Sequence, residues 1–394
     1  MGETAIVFGA GRVGALASDL DALLKDRAHL FVIVDSGVVA AGCLDRVMRA
    51  LTDSAHSLTC HQIPGGEPTA ASVDAAVRRA GESGATAVIA VGGGSVLDTG
   101  KLVAALTPGG EAVASYALGG RTLPSVGLPL VGLPTTAGTG AEVTRTSTFA
   151  LDEGAKVWAW GANLNPDLAI LDPELTVSLP PALTVATGID ALVHAVEATT
   201  NRVQGPGIDL PAMAAITMVR RALPAALVRP ADLSARGDLL RAACLAGQAV
   251  ERAGTGVAHA FGHALGSMAP VAHGRAVGLS LRAALAWNAE AAPENHAAVA
   301  DAFTADDPAA PCEPEPSPLS VAARGHALAV GFDSFLHDLG MPLDLDDVGL
   351  GAADAERVAE IVMRPENAPM RAANCRSLDP EDAVTLSRRL LGAA

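Results

Sequence analysis

Paired cysteines, lysine and aromatic rings are what this chain of 394 residues has least of. Its five cysteines, at positions 43, 60, 244, 312 and 375, are odd in number, widely spaced and nowhere arranged as CxxC. That argues against a disulfide framework and a zinc–cysteine site, and fits a reducing, cytoplasmic compartment. Lysine occurs three times against 24 arginines, and the formal charge is −16. A chain so short of clustered positive charge is not built for nucleic acid or an anionic membrane surface. Aromatics make up only 3%, so the core must pack from small aliphatic side chains and close backbone contacts. The opening MGETAIVFGAGR lacks a basic segment followed by an apolar core and a small-residue cleavage site, and export is not expected. Two stretches without Asp, Glu, Lys or Arg, 122–141 and 253–274, hold Pro124, Pro129 and Pro134 in one case and three histidines in the other, so neither reads as a membrane span.

What is present is an ordinary globular composition, 50% apolar and 18% charged, long enough for two domains. From residue 4 to about 180, short apolar runs alternate with helical patterns: TAIVF, LFVIV at 30–34, SLTCHQI at 57–63, TAVIAV at 86–91 and LPLVGLP at 128–134. Alternation of this kind predicts a parallel sheet with helices on both faces, an α/β dinucleotide-binding domain over 1–180. Beyond Pro180-Pro181 the strand patterns stop. Helices are expected near 182–200, 207–226, 235–268, 275–290, 320–338, 353–362 and 380–391, giving an all-helical metal-binding and substrate domain over 181–394. The acidic, proline-rich stretch 304–318 reads as an exposed loop.

Three glycine-bearing turns compete for a ligand. Gly9-Ala10-Gly11-Arg12-Val13-Gly14 follows the first strand and matches GxGxxG, with Asp35 at the end of the next strand placed to hold a ribose hydroxyl. Gly92-Gly93-Gly94-Ser95 follows a later strand and opens a helix bearing Asp98 and Lys101; unpaired N–H groups at such a helix start favour an anion. Consecutive glycines cost roughly 1 kcal/mol each relative to alanine, which a turn alone rarely requires. The second cluster is therefore the stronger phosphate site, with Asp98 counted beside it. Pro134 to Glu142, with Thr135, Thr136 and Thr139, offers three hydroxyls at a strand's C-terminal end, where α/β proteins bind ligands.

The helical half carries the metal chemistry. Asp190 and His194 are four apart in TGIDALVHAVEA and share a helix face, His259 and His263 repeat that spacing in GVAHAFGHALG, and His273 follows in AHGR. Burying several imidazoles and a carboxylate in alanine-rich helices without partners would cost several kcal/mol, roughly, and a bound cation removes that cost. With no thiolate among them, these donors suit Fe2+, Zn2+ or another divalent first-row ion.

The segments GGGSVLDTGK at 92–101, LPTTAGTGAEVT at 133–144, ALTVATGIDALVHAVEA at 182–198 and HAFGHALGSMAPVAHG at 259–274 together resemble the signatures of the iron-containing (group III) alcohol dehydrogenases, in the same order and over nearly the whole chain. The resemblance implies metal ligation by Asp190, His194, His259 and His273, with His263 facing substrate as the catalytic histidine. It implies pyrophosphate at Gly93, Gly94 and Ser95, a ribose on Asp35 that disfavours a 2′-phosphate, and a dinucleotide cleft lined by Thr135, Thr136, Thr139 and Lys156. GxGxxG at 9–14 then becomes a structural turn. The implied activity is NAD(H)-linked, in preference to NADP(H), interconverting a small alcohol and its aldehyde by hydride transfer at a metal-polarised oxygen, in a homodimer. Rival readings are a metal-free maleylacetate reductase on the same fold, which would require broken ligand positions, and a dehydroquinate-synthase-like lyase, which would require basic residues in the substrate cleft. Ala141, Thr199 and Asn374-Cys375-Arg376 depart from the family's usual residues and bear on pocket shape.

Overall fold

The computed structural model describes residues 3–151, 154–305 and 320–392, so all but the first two residues of the expected loop 304–318, with Cys312, lie outside the described residues. The chain divides into two compact units, Met1–Leu179 with Pro230–Cys244, and Pro180–Arg229 with Leu245–Ala394.

The first unit runs β1 (Ala5–Phe8), α1 (Leu16–Leu24), β2 (His29–Asp35), α2 (Ser36–Ala40), α3 (Cys43–Ala50), β3 (Ser57–Ile63), α4 (Ala70–Ser83), β4 (Ala87–Gly92), α5 (Gly94–Leu106), β5 (Leu130–Pro134), β6 (Thr146–Ala150), β7 (Lys156–Trp160) and β8 (Leu168–Leu171). Six strands form one sheet in the order β1-β8-β5-β4-β2-β3, every pair parallel. Strand β2 explains why its sequence reads as an unbroken apolar run. Leu30, Val32 and Val34 face a core with Leu16, Leu20 and Val47, while Phe31 and Ile33 face a second core with Ala76, Ala80 and Val103. Both faces are covered, as parallel sheets require. The sequence patterns missed β8 and the antiparallel β6–β7 hairpin, because four- and five-residue strands between turns carry too few alternations to register.

One strand-order reversal matters for ligands. The chain steps outward from β2 to β3, then returns to β4 on the other side of β2 and continues to β5. The loops after β2, β4 and β5 therefore open side by side at the carboxyl ends of adjacent strands, where the sheet's order switches and α/β proteins bind ligands.

The second unit is mostly helical: α6 (Pro181–Thr200), α7 (Pro206–Val228), the end of α8 (Leu233–Ala253), α9 (Val257–Met268), α10 (His273–Ala291), α11 (Pro293–Thr304), α12 (Val321–Asp338), α13 (Ala355–Val362), α14 (Ala368–Ala373) and α15 (Pro380–Leu390). The single helix expected over 235–268 is two helices. Gly254 adopts φ +71° and breaks the run, which gives α9 its own N-terminus. Helix α7 is long and apolar enough, by length and composition, to cross a membrane. It packs on α6 and α11, and Arg220 lies over the rings of Phe303 and Phe335.

Candidate metal centre and dinucleotide site

Three helices of the second unit assemble the candidate metal centre. Asp190 and His194 lie one turn apart on α6, His259 and His263 one turn apart on α9, and His273 is the first residue of α10. The close crossing of α10 on α6 depends on Gly274, where a Cβ would lie 1.7 Å from the Ala186 carbonyl oxygen. Asp190 sits at the focus. Its Oδ1 is 3.8 Å from His194 Nδ1, 3.7 Å from His259 Nε2 and 3.7 Å from His273 Nε2. These separations are too long for hydrogen bonds and suit donors arranged about a common ion. Asp190 Oδ1 and His259 Nε2 are buried without a hydrogen-bond partner. An orphaned carboxylate oxygen facing an orphaned imidazole nitrogen is what a cation would satisfy, so the residues fit a divalent ion.

Donor atoms of Asp190, His259 and His273 lie within 4.8 Å of one another. His194 stands outside that set, with its ring stacked on His259 at 4.5 Å. His263 is the outer member: its ring lies 6.4 Å from that of His259 and 5.7 Å from that of His273, half-buried at the margin of the cluster.

The first unit holds the residues expected at the dinucleotide. Gly93, Gly94 and Ser95 begin α5 after β4, with Gly93 as an N-cap whose helix start has no side-chain cap. Thr135, Thr136 and Thr139 follow β5, and Thr136 and Thr139 close over Gly93 and Gly94; a Cβ on Gly94 would lie 2.6 Å from Thr139 Cγ2. Asp35 ends β2, and its Oδ1 accepts the Val38 N–H at 2.8 Å as the cap of α2. Lys156 pairs with Glu67 at 3.1 Å. Asp98 is buried, its Oδ2 accepting from both the Thr148 N–H and hydroxyl at 2.9 Å, while Lys101 Nζ donates to Thr144 and to the Thr146 carbonyl. Asp98 and Lys101 thus tie α5 to the β6 strand. The GxGxxG turn is already filled: Asp172 accepts the N–H groups of Gly11 at 3.1 Å and Val13 at 2.9 Å, putting an internal carboxylate where a phosphate would otherwise lie.

Comparison with known proteins bears on both halves at once. Residues 3–173 match the family described as iron-containing alcohol dehydrogenase, and residues 184–391 match the C-terminal region of the Fe-containing alcohol dehydrogenase family. The chain belongs to the iron-containing alcohol dehydrogenase family. It is 38% identical to the probable alcohol dehydrogenase EutG of Salmonella typhimurium over 75% of this chain and 74% of that protein. A crystal structure of 1,3-propanediol oxidoreductase superposes with a TM-score of 0.89 at 28% identity, covering 98% of each chain. Sulfoacetaldehyde reductase from Bifidobacterium kashiwanohense, solved in complex with NAD+, superposes at 0.85 and 27% identity, over 100% of this chain and 98% of that one. Membership makes the protein an oxidoreductase acting on CH–OH groups.

In this iron-containing alcohol dehydrogenase the charge balance of the candidate metal centre is set by neighbours. Burial alone would raise the Asp190 pKa, but His194, His273 and His259 overturn that and hold the carboxyl well below its usual range. Burial would likewise lower the His259 pKa, yet Glu197 and Asp190 prevail and raise it to about 9. Glu197 was not among the residues singled out from sequence. It lies seven residues beyond Asp190 and three beyond His194, a spacing that continues the same α6 stripe and could have revealed it.

Proposed function

We propose that this oxidoreductase interconverts a small alcohol and its aldehyde with NAD(H), using a divalent first-row ion, Fe2+ foremost and Zn2+ next, held by Asp190, His194, His259 and His273. The observation that carries the reading is the buried Asp190 Oδ1 facing three imidazole nitrogens at 3.7–3.8 Å. When bound, the ion supplies a Lewis acid for the substrate oxygen and the nicotinamide accepts or delivers the hydride. The protein's own share is orientation, exclusion of water and movement of one proton. His263, at the half-buried margin of the histidine cluster, relays that proton between the substrate oxygen and solvent.

In the first unit the pyrophosphate is assigned to Gly93, Gly94 and Ser95. The contrast with GxGxxG supports this, since one helix start already holds the Asp172 carboxylate and the other has no side-chain cap. Thr135, Thr136, Thr139 and Lys156 line the nucleotide, Asp98 supports it through its ties to the β6 strand, and the Asp35 carboxylate repels a 2′-phosphate and so selects NAD(H) over NADP(H). Four free cysteines among the described residues support a cytoplasmic location. A homodimer is supported by the sheet-edge strand β1, which exposes Ile6 and Phe8.

The deciding experiment combines metal analysis of the purified protein with absorbance of reduced nicotinamide over a panel of short alcohols and aldehydes. Turnover with NAD exceeding that with NADP is expected. Absence of NAD(H) turnover with every member, despite bound metal, would sink the dehydrogenase reading, and a preference for NADP would remove the role given to Asp35.

A further inference from the structure

Glu197 is 2% exposed and makes two contacts with α9. Its Oε2 lies 2.6 Å from His259 Nδ1, and its Oε1 accepts the Ala258 N–H at 2.7 Å. A second side chain reaches the same helix start, where Asn374 Oδ1 accepts the Val257 N–H at 3.3 Å. The space around Gly256 is closed by Glu197 Oε1 and by the Oδ1 atoms of Asn201 and Asn374, each 2.9 Å from where a Cβ would lie. Asn374 is itself fixed, donating to Asn288 Oδ1 and to the Arg376 carbonyl at 2.8 Å.

We infer that Glu197 is the positioning residue of the metal centre, holding His259 with its proton on Nδ1 so that Nε2 presents its lone pair beside Asp190; the inference rests on the metal reading above. A carboxylate has only acceptors, so the nitrogen facing it must be the protonated one. Nε2 is then the nitrogen whose lone pair can ligate, and the ring cannot turn without breaking a short charge-assisted bond. By gripping Ala258 as well, the same carboxylate fixes the ring and the backbone that carries it. Asn374 does only the second of these, which separates the departing tail motif Asn374-Cys375-Arg376 from substrate choice and assigns its asparagine to the scaffold.

The test uses Glu197→Gln and Asn374→Ala in the full chain. Glutamine can still accept the Ala258 N–H, but its NH2 group then faces Nδ1 and favours the tautomer whose proton sits on Nε2. Chelator competition for Zn2+ and the visible ligand-field bands of the Co2+-loaded protein are measured for wild type and both variants, with far-UV circular dichroism as the check on folding. Glu197→Gln is expected to weaken metal binding about 10–100-fold and to alter the Co2+ bands. Asn374→Ala, which loosens the helix start without touching the His259 ring, should stay within roughly threefold of wild type with unchanged bands. Wild-type affinity in Glu197→Gln, or an equal loss in Asn374→Ala, overturns the positioning role while leaving the metal centre intact. Failure of the wild-type protein itself to bind either metal overturns the metal reading, and this inference with it.

Discussion

At the scale of single residues, the proposed metal centre divides its side chains into those that would hold the ion and one that would move a proton. Among the described residues Asp190 is the only carboxylate at the focus, and without it three imidazoles would face one another with no negative charge between them. Asp190→Asn is expected to abolish stoichiometric metal and lower kcat/KM by roughly 100-fold or more, read by metal analysis beside activity. His263→Ala should instead keep its metal and lose about 100-fold in turnover, the usual scale of a lost proton relay. Loss of metal in that variant would make His263 a ligand. A third residue, outside the chemistry, sets a pH dependence. Glu142 is 2% exposed, and burial drives its pKa from 4.5 up to about 7 against the pull of its own backbone N–H and of Lys101. Because the folded chain holds this proton more tightly than the unfolded chain, the associated stability is full below the unfolded value and is lost as pH rises through about 7. The linkage amounts to about 3 kcal/mol at most. Glu142→Gln should therefore flatten the stability profile and be the more stable form at about pH 8 in urea denaturation. An unchanged slope between about pH 5 and pH 8 would dismiss it.

At the scale of elements, what could be read from sequence was whatever repeats locally. The Asp190/His194 and His259/His263 pairs were legible because four-residue spacing puts two side chains on one helix face whatever the tertiary setting. Glu197 continues that face, yet a lone acidic residue in an alanine-rich helix does not announce its partner on another helix. Asp172 was illegible for the same reason: its bond to the GxGxxG turn spans 161 residues. The break between α8 and α9 hung on one left-handed glycine, Gly254, inside an otherwise helical pattern. Gly274 is the clearest case of an element-scale requirement. Its missing side chain lets α10 cross α6 at the Ala186 carbonyl, and the crossing is what brings His273 to Asp190. Gly274→Ala cannot be absorbed by a rotamer change, since the obstruction is backbone. It is expected to destabilise the fold by about 3 kcal/mol and to lower metal content. A thermal midpoint and metal stoichiometry equal to wild type would show that the helices part without consequence.

At the scale of the molecule, the proposed site residues fall into two sets, each held within its own unit by local structure. The proposed metal donors come from α6, α9 and α10, whereas the residues proposed for the nucleotide come from loops after β2, β4 and β5. A ligand that binds only the native state stabilises the structure that forms its site, by an amount set by its concentration over Kd. Hydrogen exchange can read that stabilisation segment by segment, because local openings differ in free energy along the chain. Removing metal with a chelator should speed amide exchange in 186–198 and 257–278 while leaving the strands 87–92 and 130–134 close to their metal-loaded rates. Adding NAD+ to the metal-free protein should slow exchange at 93–97 and 135–140 and leave the histidine helices unprotected. Protection by NAD+ at residues 9–14 instead would return the pyrophosphate to the GxGxxG turn, which requires Asp172 to release the Gly11 and Val13 N–H groups it now accepts. Because those two donors are already satisfied by a buried carboxylate, a phosphate there would have to displace one negative charge with another, and the exchange pattern should therefore favour the start of α5.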